Sequence, residues 1–97
     1  MVKKIWITGA SSGIGKALAI KFSKEGWHVA ASARRRNLLE DLSNNNSNIY
    51  SFPLDVTDLK SSLNTFEKII EKLNNIDLCI FSTGIYDPKM EKEINLE

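Results

Sequence analysis

Thr8-Gly9-Ala10-Ser11-Ser12-Gly13-Ile14-Gly15 is the stretch whose reading decides the fold. It follows the apolar run Ile5-Trp6-Ile7 and opens onto Ile14, Ala17, Leu18 and Phe22, spaced as one helical face. A strand, a glycine turn and a helix N-terminus therefore fall within the first 25 residues. Such a turn is suited to an anion, because a helix start exposes unpaired N–H groups and carries roughly half a unit of positive charge. Gly9 permits a sharp turn out of the strand, where φ can be positive. Gly13 lets a phosphate approach the backbone, and Gly15 lets the helix lie close to the sheet. The competing reading is a strand-to-helix turn that holds no ligand.

Working outward, strand and helix patterns alternate. A strand over 3–8 and a helix over 13–25 are stopped at Gly26, a residue suited to a helix end. A strand over 28–33 precedes a short helix over 36–43 that carries Leu38, Leu39 and Leu42. Asn44 to Asn48 reads as a solvated turn before the strand Ile49-Tyr50-Ser51-Phe52, which Pro53 closes. Thr57 is the expected N-cap of the next helix. That helix carries Leu59, Leu63, Phe66, Ile70 and Leu73 at three- and four-residue steps, an expected buried face. A fourth strand covers 77–82. Repeated strand–helix units imply a parallel sheet with right-handed crossovers. In a doubly wound sheet the first strands order 3-2-1-4, and a ligand crevice opens between strands one and four at their C-terminal ends. The glycine loop and Ser82-Thr83-Gly84 both reach that crevice.

Composition narrows the class. The 97 residues suit one small domain, and 42% apolar with 26% charged residues is ordinary for a soluble globular chain. A net charge of +1 gives no reason to expect nucleic acid or an anionic membrane as partner. No apolar stretch approaches the ~20 residues of a membrane span. Met-Val-Lys-Lys-Ile has the basic start of a signal peptide, but its apolar stretch is too short, so a cytoplasmic protein is expected. The single cysteine, Cys79, forms no internal disulfide or metal cluster. Within Leu78-Cys79-Ile80-Phe81 it is expected as a small buried core residue rather than a reactive thiol. His28, a lone imidazole at a strand start, reads as an ordinary exposed or half-buried residue. Nothing among these residues suggests a metal site.

Thr-Gly-x-x-x-Gly-Ile-Gly near the N-terminus resembles the cofactor signature of the short-chain dehydrogenase/reductase family. The resemblance runs from Val2 to about Tyr86, the first part of a typical member. It implies an α/β, Rossmann-like doubly wound parallel sheet, here partial, as one domain portion over 1–97. It places Gly9, Ser11, Ser12, Gly13, Ile14 and Gly15 at a nicotinamide dinucleotide. Asp55 and Val56, after strand three, match positions that contact adenine in the family; turn chemistry at Asp55 is the competing reading. Ser82-Thr83-Gly84 matches the family's Asn-Ala-Gly. Gly84 is kept, whereas Ser82 replaces an asparagine that braces the sheet and offers fewer hydrogen-bonding sites than an amide.

The three arginines are consecutive, Arg34-Arg35-Arg36, against ten lysines spread along the chain. They stand where strand two ends, about 20 residues beyond the glycine turn, the position that reads the adenosine ribose. Ala33 stands where NAD-preferring relatives carry Asp. Guanidinium binds phosphate bidentately, so the expectation is NADP(H) over NAD(H), with Arg34 the main 2′-phosphate ligand, Arg35 in support and a hydroxyl from Ser11. A solvated basic turn is the alternative, although positive charge in a first helical turn opposes the macrodipole.

The family's chemistry uses Tyr-x-x-x-Lys on one helix. Here Tyr50 is followed four residues on by Leu54, and Tyr86 by Met90. Tyr86-Asp87-Pro88-Lys89 has the wrong spacing, and Pro88 disfavours a continuous helix. No catalytic residue is therefore assigned. The expected role is the cofactor-binding N-terminal part of an oxidoreductase, inactive alone, whose parent moves hydride between nicotinamide and a small carbonyl or alcohol. The alternative is a non-catalytic nucleotide-binding or interaction module. Strand four carries no Pro or Lys over 78–82 to blunt its edge, so a fifth strand or a second copy is expected to cover it.

Overall fold

The computed structural model describes residues 2–11, 13–55 and 58–81. Its elements alternate as β1 (Lys4–Thr8), α1 (Gly13–Lys24), β2 (His28–Ser32), α2 (Arg36–Asn45), β3 (Ile49–Ser51), α3 (Leu59–Leu73) and β4 (Leu78–Phe81). The strands form one parallel sheet in the order β3-β2-β1-β4. β1 is thus internal, with Lys4 to Thr8 paired to His28 to Ser32 on one side and Ile5 to Thr8 paired to Leu78 to Phe81 on the other. The Lys4 N–H donates to Asp77 Oδ2 at 2.8 Å and the Asp77 N–H donates to the Lys4 carbonyl at 2.8 Å, which fixes the β1–β4 register.

Alternation along β1 divides the core. Ile5 and Ile7 face α1 and α2 in a cluster with Val29, Ala31, Ala19, Leu39 and Leu42. Trp6 faces the opposite side with Ala30, Leu54, Ile69 and Leu73. Burial on both faces explains why β1 and β2 are continuous apolar runs rather than alternating ones. α1 ends as expected at Gly26, whose φ is +94°. The Trp27 N–H reaches the Phe22 carbonyl and the Gly26 N–H the Ser23 carbonyl, a Schellman closure that satisfies the last turn.

Four expectations change. In α1 the buried stripe is Gly15, Ala19 and Ser23; Ile14 and Ala17 are exposed, and Leu18 and Phe22 are half-buried. Small residues face the sheet because the helix runs close to it. In α3 the buried stripe is Thr65, Ile69 and Leu73, and Leu59, Leu63 and Phe66 remain exposed. The apolar arc of this helix is wider than the described sheet can cover. Cys79 is exposed rather than buried, since β4 is an edge strand among the described residues. Asp58, not Thr57, caps α3, its Oδ1 accepting from the Ser61 N–H at 3.2 Å; Thr57 itself lies outside the described residues.

The asparagine run does more than form a solvated turn. α2 extends to Asn45. Asn45 and Asn46 donate from their side chains to the Asp41 and Leu42 carbonyls, and Asn48 donates to the Ser23 carbonyl of α1. The run therefore adds side-chain donors to carbonyls near the ends of α2 and α1.

The rotated face of α3 has a measurable consequence. Ile69→Ala should cost about 2–5 kcal/mol by leaving a cavity under the helix. Leu63→Ala should stay within about 0.5 kcal/mol of wild type, as for other surface positions. Urea unfolding of both variants checks the pair.

Candidate functional site

The loops at the C-terminal ends of β1, β2 and β3 converge on one edge. Gly9 leaves β1 with φ +68°, and Gly13 opens α1 with φ +58° and no atom within 4 Å of where its Cβ would lie. Both values fall in the left-handed region open to glycine, and the space at Gly13 leaves its backbone approachable. Gly15 is tight instead. A Cβ there would overlap the Gly9 carbonyl oxygen and lie 2.8 Å from the Gly9 carbonyl carbon. The helix start is thereby held directly against the turn.

Main-chain bonds tie three loops together at the end of β2. The Ala10 N–H donates to the Ser32 carbonyl at 3.1 Å, and the Leu54 N–H donates to the Ala33 carbonyl at 2.9 Å. Ser32 and Ala33 thus hold the glycine loop on one side and the segment before Asp55 on the other. Ala33 is buried, and Arg34, Arg35 and Arg36 are exposed immediately beyond it. Asp55 is exposed, and its main-chain carbonyl accepts the Asp58 N–H at 3.1 Å. Ser11 is half-buried and Ile14 is 75% exposed at the mouth of the turn. Of the residues singled out in the sequence, Gly9, Ser11, Gly13, Ile14, Gly15, Arg34, Arg35 and Asp55 lie on this edge. Ser12, Val56, Ser82, Thr83 and Gly84 lie outside the described residues.

The electrostatics suit an anion. Neither α1 nor α2 has an acidic residue in its first turn. Arg35 occupies the N-cap of α2 with no side-chain capping bond, so that helix start exposes N–H groups beside a guanidinium. The only ion pair among the described residues is the exposed Lys21–Glu25, which leaves all three arginines without an acidic partner there. A phosphate-bearing dinucleotide fits this donor set. Among the described residues no group of three or more His, Cys, Asp or Glu could hold a metal, and no helix is long and apolar enough to cross a membrane.

One pair escaped the sequence reading. Trp6 Nε1–H donates to Ser32 Oγ at 2.9 Å in a buried contact. Its signal was a hydroxyl at the end of the otherwise apolar run Val29-Ala30-Ala31, two residues along β2 from Ala30, the register partner of an indole that needs an acceptor once buried.

Comparison with known proteins agrees with this geometry. A family model described as short chain dehydrogenase matches residues 3–97. Dehydrogenase/reductase SDR family member 7 of Mus musculus is 36% identical over 101 residues, covering 96% of this chain and 30% of the relative. Serine 3-dehydrogenase of Rhizobium radiobacter is 35% identical over 82 residues, covering 84% of this chain and 33% of the relative. A crystal structure of a short chain dehydrogenase from Bacillus anthracis superposes with TM-score 0.74 at 33% identity, over 79% of this chain and 34% of that one. A 3-ketoacyl-(acyl-carrier-protein) reductase from Brucella melitensis, complexed with NADH, shares the fold at TM-score 0.76 and 24% identity, over 79% of this chain and 32% of that one. The chain spans about a third of the length of these relatives, 30% and 33% of the two sequence relatives above.

Two outcomes follow from the site. Gly15→Ala should destabilise by about 3 kcal/mol or more, because the added methyl meets backbone that has little room to move; thermal unfolding measures it. Cys79 is exposed, while partial desolvation raises its thiol above the ordinary value. A raised pKa means less thiolate at a given pH, so native protein should react with a disulfide reagent without denaturant, yet more slowly at pH 8 than a small free thiol. The rate should climb as pH rises further.

Proposed function

This chain belongs to the short-chain dehydrogenase family, and from that premise we propose that it is the NADP(H)-binding part of an oxidoreductase. The carrying observation is the joining of the glycine loop to the arginine turn through the Ala10–Ser32 bond. One ligand with phosphates at two places can then meet both. The diphosphate is held by the N–H groups of the loop between Gly9 and Gly15 and by the α1 N-terminus. Arg34 grips the ribose 2′-phosphate, supported by Arg35 and the hydroxyl of Ser11. Ala33 supports this preference, since an acid at that turn would repel the 2′-phosphate. Asp55, Val56 and the Ser82-Thr83-Gly84 turn are proposed as the adenine side and the second wall of the crevice.

When bound, the nicotinamide supplies hydride transfer to a carbonyl or from an alcohol. Relatives named as dehydrogenases and reductases support that chemistry. This chain's own residues bind and orient the dinucleotide, and none of them forms the family's Tyr-x-x-x-Lys pair. A cytoplasmic location is part of the same proposal.

Calorimetric titration with NADP+ and NAD+ tests the reading. Wild type should prefer NADP+. Arg34→Ala should weaken NADP+ binding by about 10- to 100-fold, the value of one charge-assisted contact, and change NAD+ binding by less than about twofold. Equal affinity for the two dinucleotides, or no loss in Arg34→Ala, would overturn it.

A further inference from the structure

Trp6 lies on β1 with 5% exposure, and Ser32 at the end of β2 has 0% exposure. A Phe or Leu would fill the space under α3 without a polar atom. The indole instead places its N–H 2.9 Å from Ser32 Oγ. Its orientation is set by two rings, Phe66 of α3 at 6.1 Å and Phe81 of β4 at 5.7 Å between centroids. Ser32 is also the last residue of β2 paired with β1, opposite Thr8. Its carbonyl accepts the Ala10 N–H, and Arg34 follows two residues later. The indole thus grips by its side chain the residue whose main chain grips the glycine loop.

We infer that Trp6 is a positioning residue for the cofactor loops, acting through Ser32 on Ala10 and on the turn into Arg34. The inference rests on the reading of those loops as a dinucleotide site. A strand end held only by its main chain samples several positions, and an N–H cradle that converges only part of the time loses affinity in proportion. A buried hydrogen bond with both partners shielded from water narrows that sampling more than a solvated one does.

The test uses the full 97-residue chain with Trp6→Phe, which keeps a ring and removes the donor, Ser32→Ala, which removes the acceptor, and the double variant. Two quantities are read: amide exchange of Ala10 relative to Asp77, and the Kd for NADP+. Each single variant should speed Ala10 exchange about tenfold relative to Asp77 and raise the Kd about five- to tenfold, with no further change in the double variant. Leu73→Ala, a core loss on the same face of the sheet, should lower stability yet leave the Ala10-to-Asp77 exchange ratio unchanged. The inference falls if Trp6→Phe leaves that ratio unchanged, if the two single effects multiply in the double variant, or if Leu73→Ala moves the ratio as far. Should Trp6→Phe not fold, Ser32→Ala decides by the same readings. Wild type that binds neither dinucleotide would overturn the proposed function, while the exchange ratio would still decide the role of Trp6.

Discussion

The architecture of the ligand edge depends on two main-chain hydrogen bonds at the end of β2. Ser32 accepts from Ala10 and Ala33 accepts from Leu54. Three loops, each leaving a different strand, are held to one another before any ligand arrives. That prior arrangement matters because ordering a loop on binding subtracts from affinity. The strand end is itself held from below by the indole of Trp6, whose N–H donates to the Ser32 hydroxyl at the last paired position of β2.

The second constraint is the closeness of α1 to the turn that precedes it. Gly15 permits it, and Ala19 and Ser23 continue a stripe of small buried residues down the helix. Larger side chains would lift the helix and draw its N-terminus away from the turn. The same choice explains why Ile14 is left at the surface. The helix needs no bulky residue on its sheet-facing stripe near the loop, because Ile5, Ile7, Leu39 and Leu42 already fill that layer.

The strand–helix alternation and the 3-2-1-4 order were legible because β1 and β2 are apolar on both faces and turn residues separate the elements. Gly9 and Gly15 were legible as backbone requirements, and the arginine turn as a charge cluster at a strand end. The buried stripes of α1 and α3 were not, because a helix with apolar residues over a broad arc does not specify which part of that arc meets the sheet. Leu63 and Ile69 are equally apolar, and only the packing separates them. Cys79 was misplaced for a related reason: Leu78-Cys79-Ile80-Phe81 has the composition of a buried strand, whereas exposure depends on what lies beside it. The Trp6–Ser32 bond spans 26 positions, beyond the reach of local pattern.

The central place of β1 in the sheet bears on how the chain folds. Its Lys4 pairs with His28, 24 positions on, but reaches Asp77 across 73 positions. Closing the longer loop costs about 1 kcal/mol more than the shorter one. During synthesis, β1 has one partner as soon as β2 emerges and waits for β4 through some 50 further residues, roughly 3–10 s at ordinary translation rates. For that interval the edge of Ile5-Trp6-Ile7 that will receive β4 is open. Of the four described strands, β1 precedes the others in sequence yet gains its second neighbour only with β4, which ties the enclosure of the strand leading into the glycine loop to a long-range step of folding.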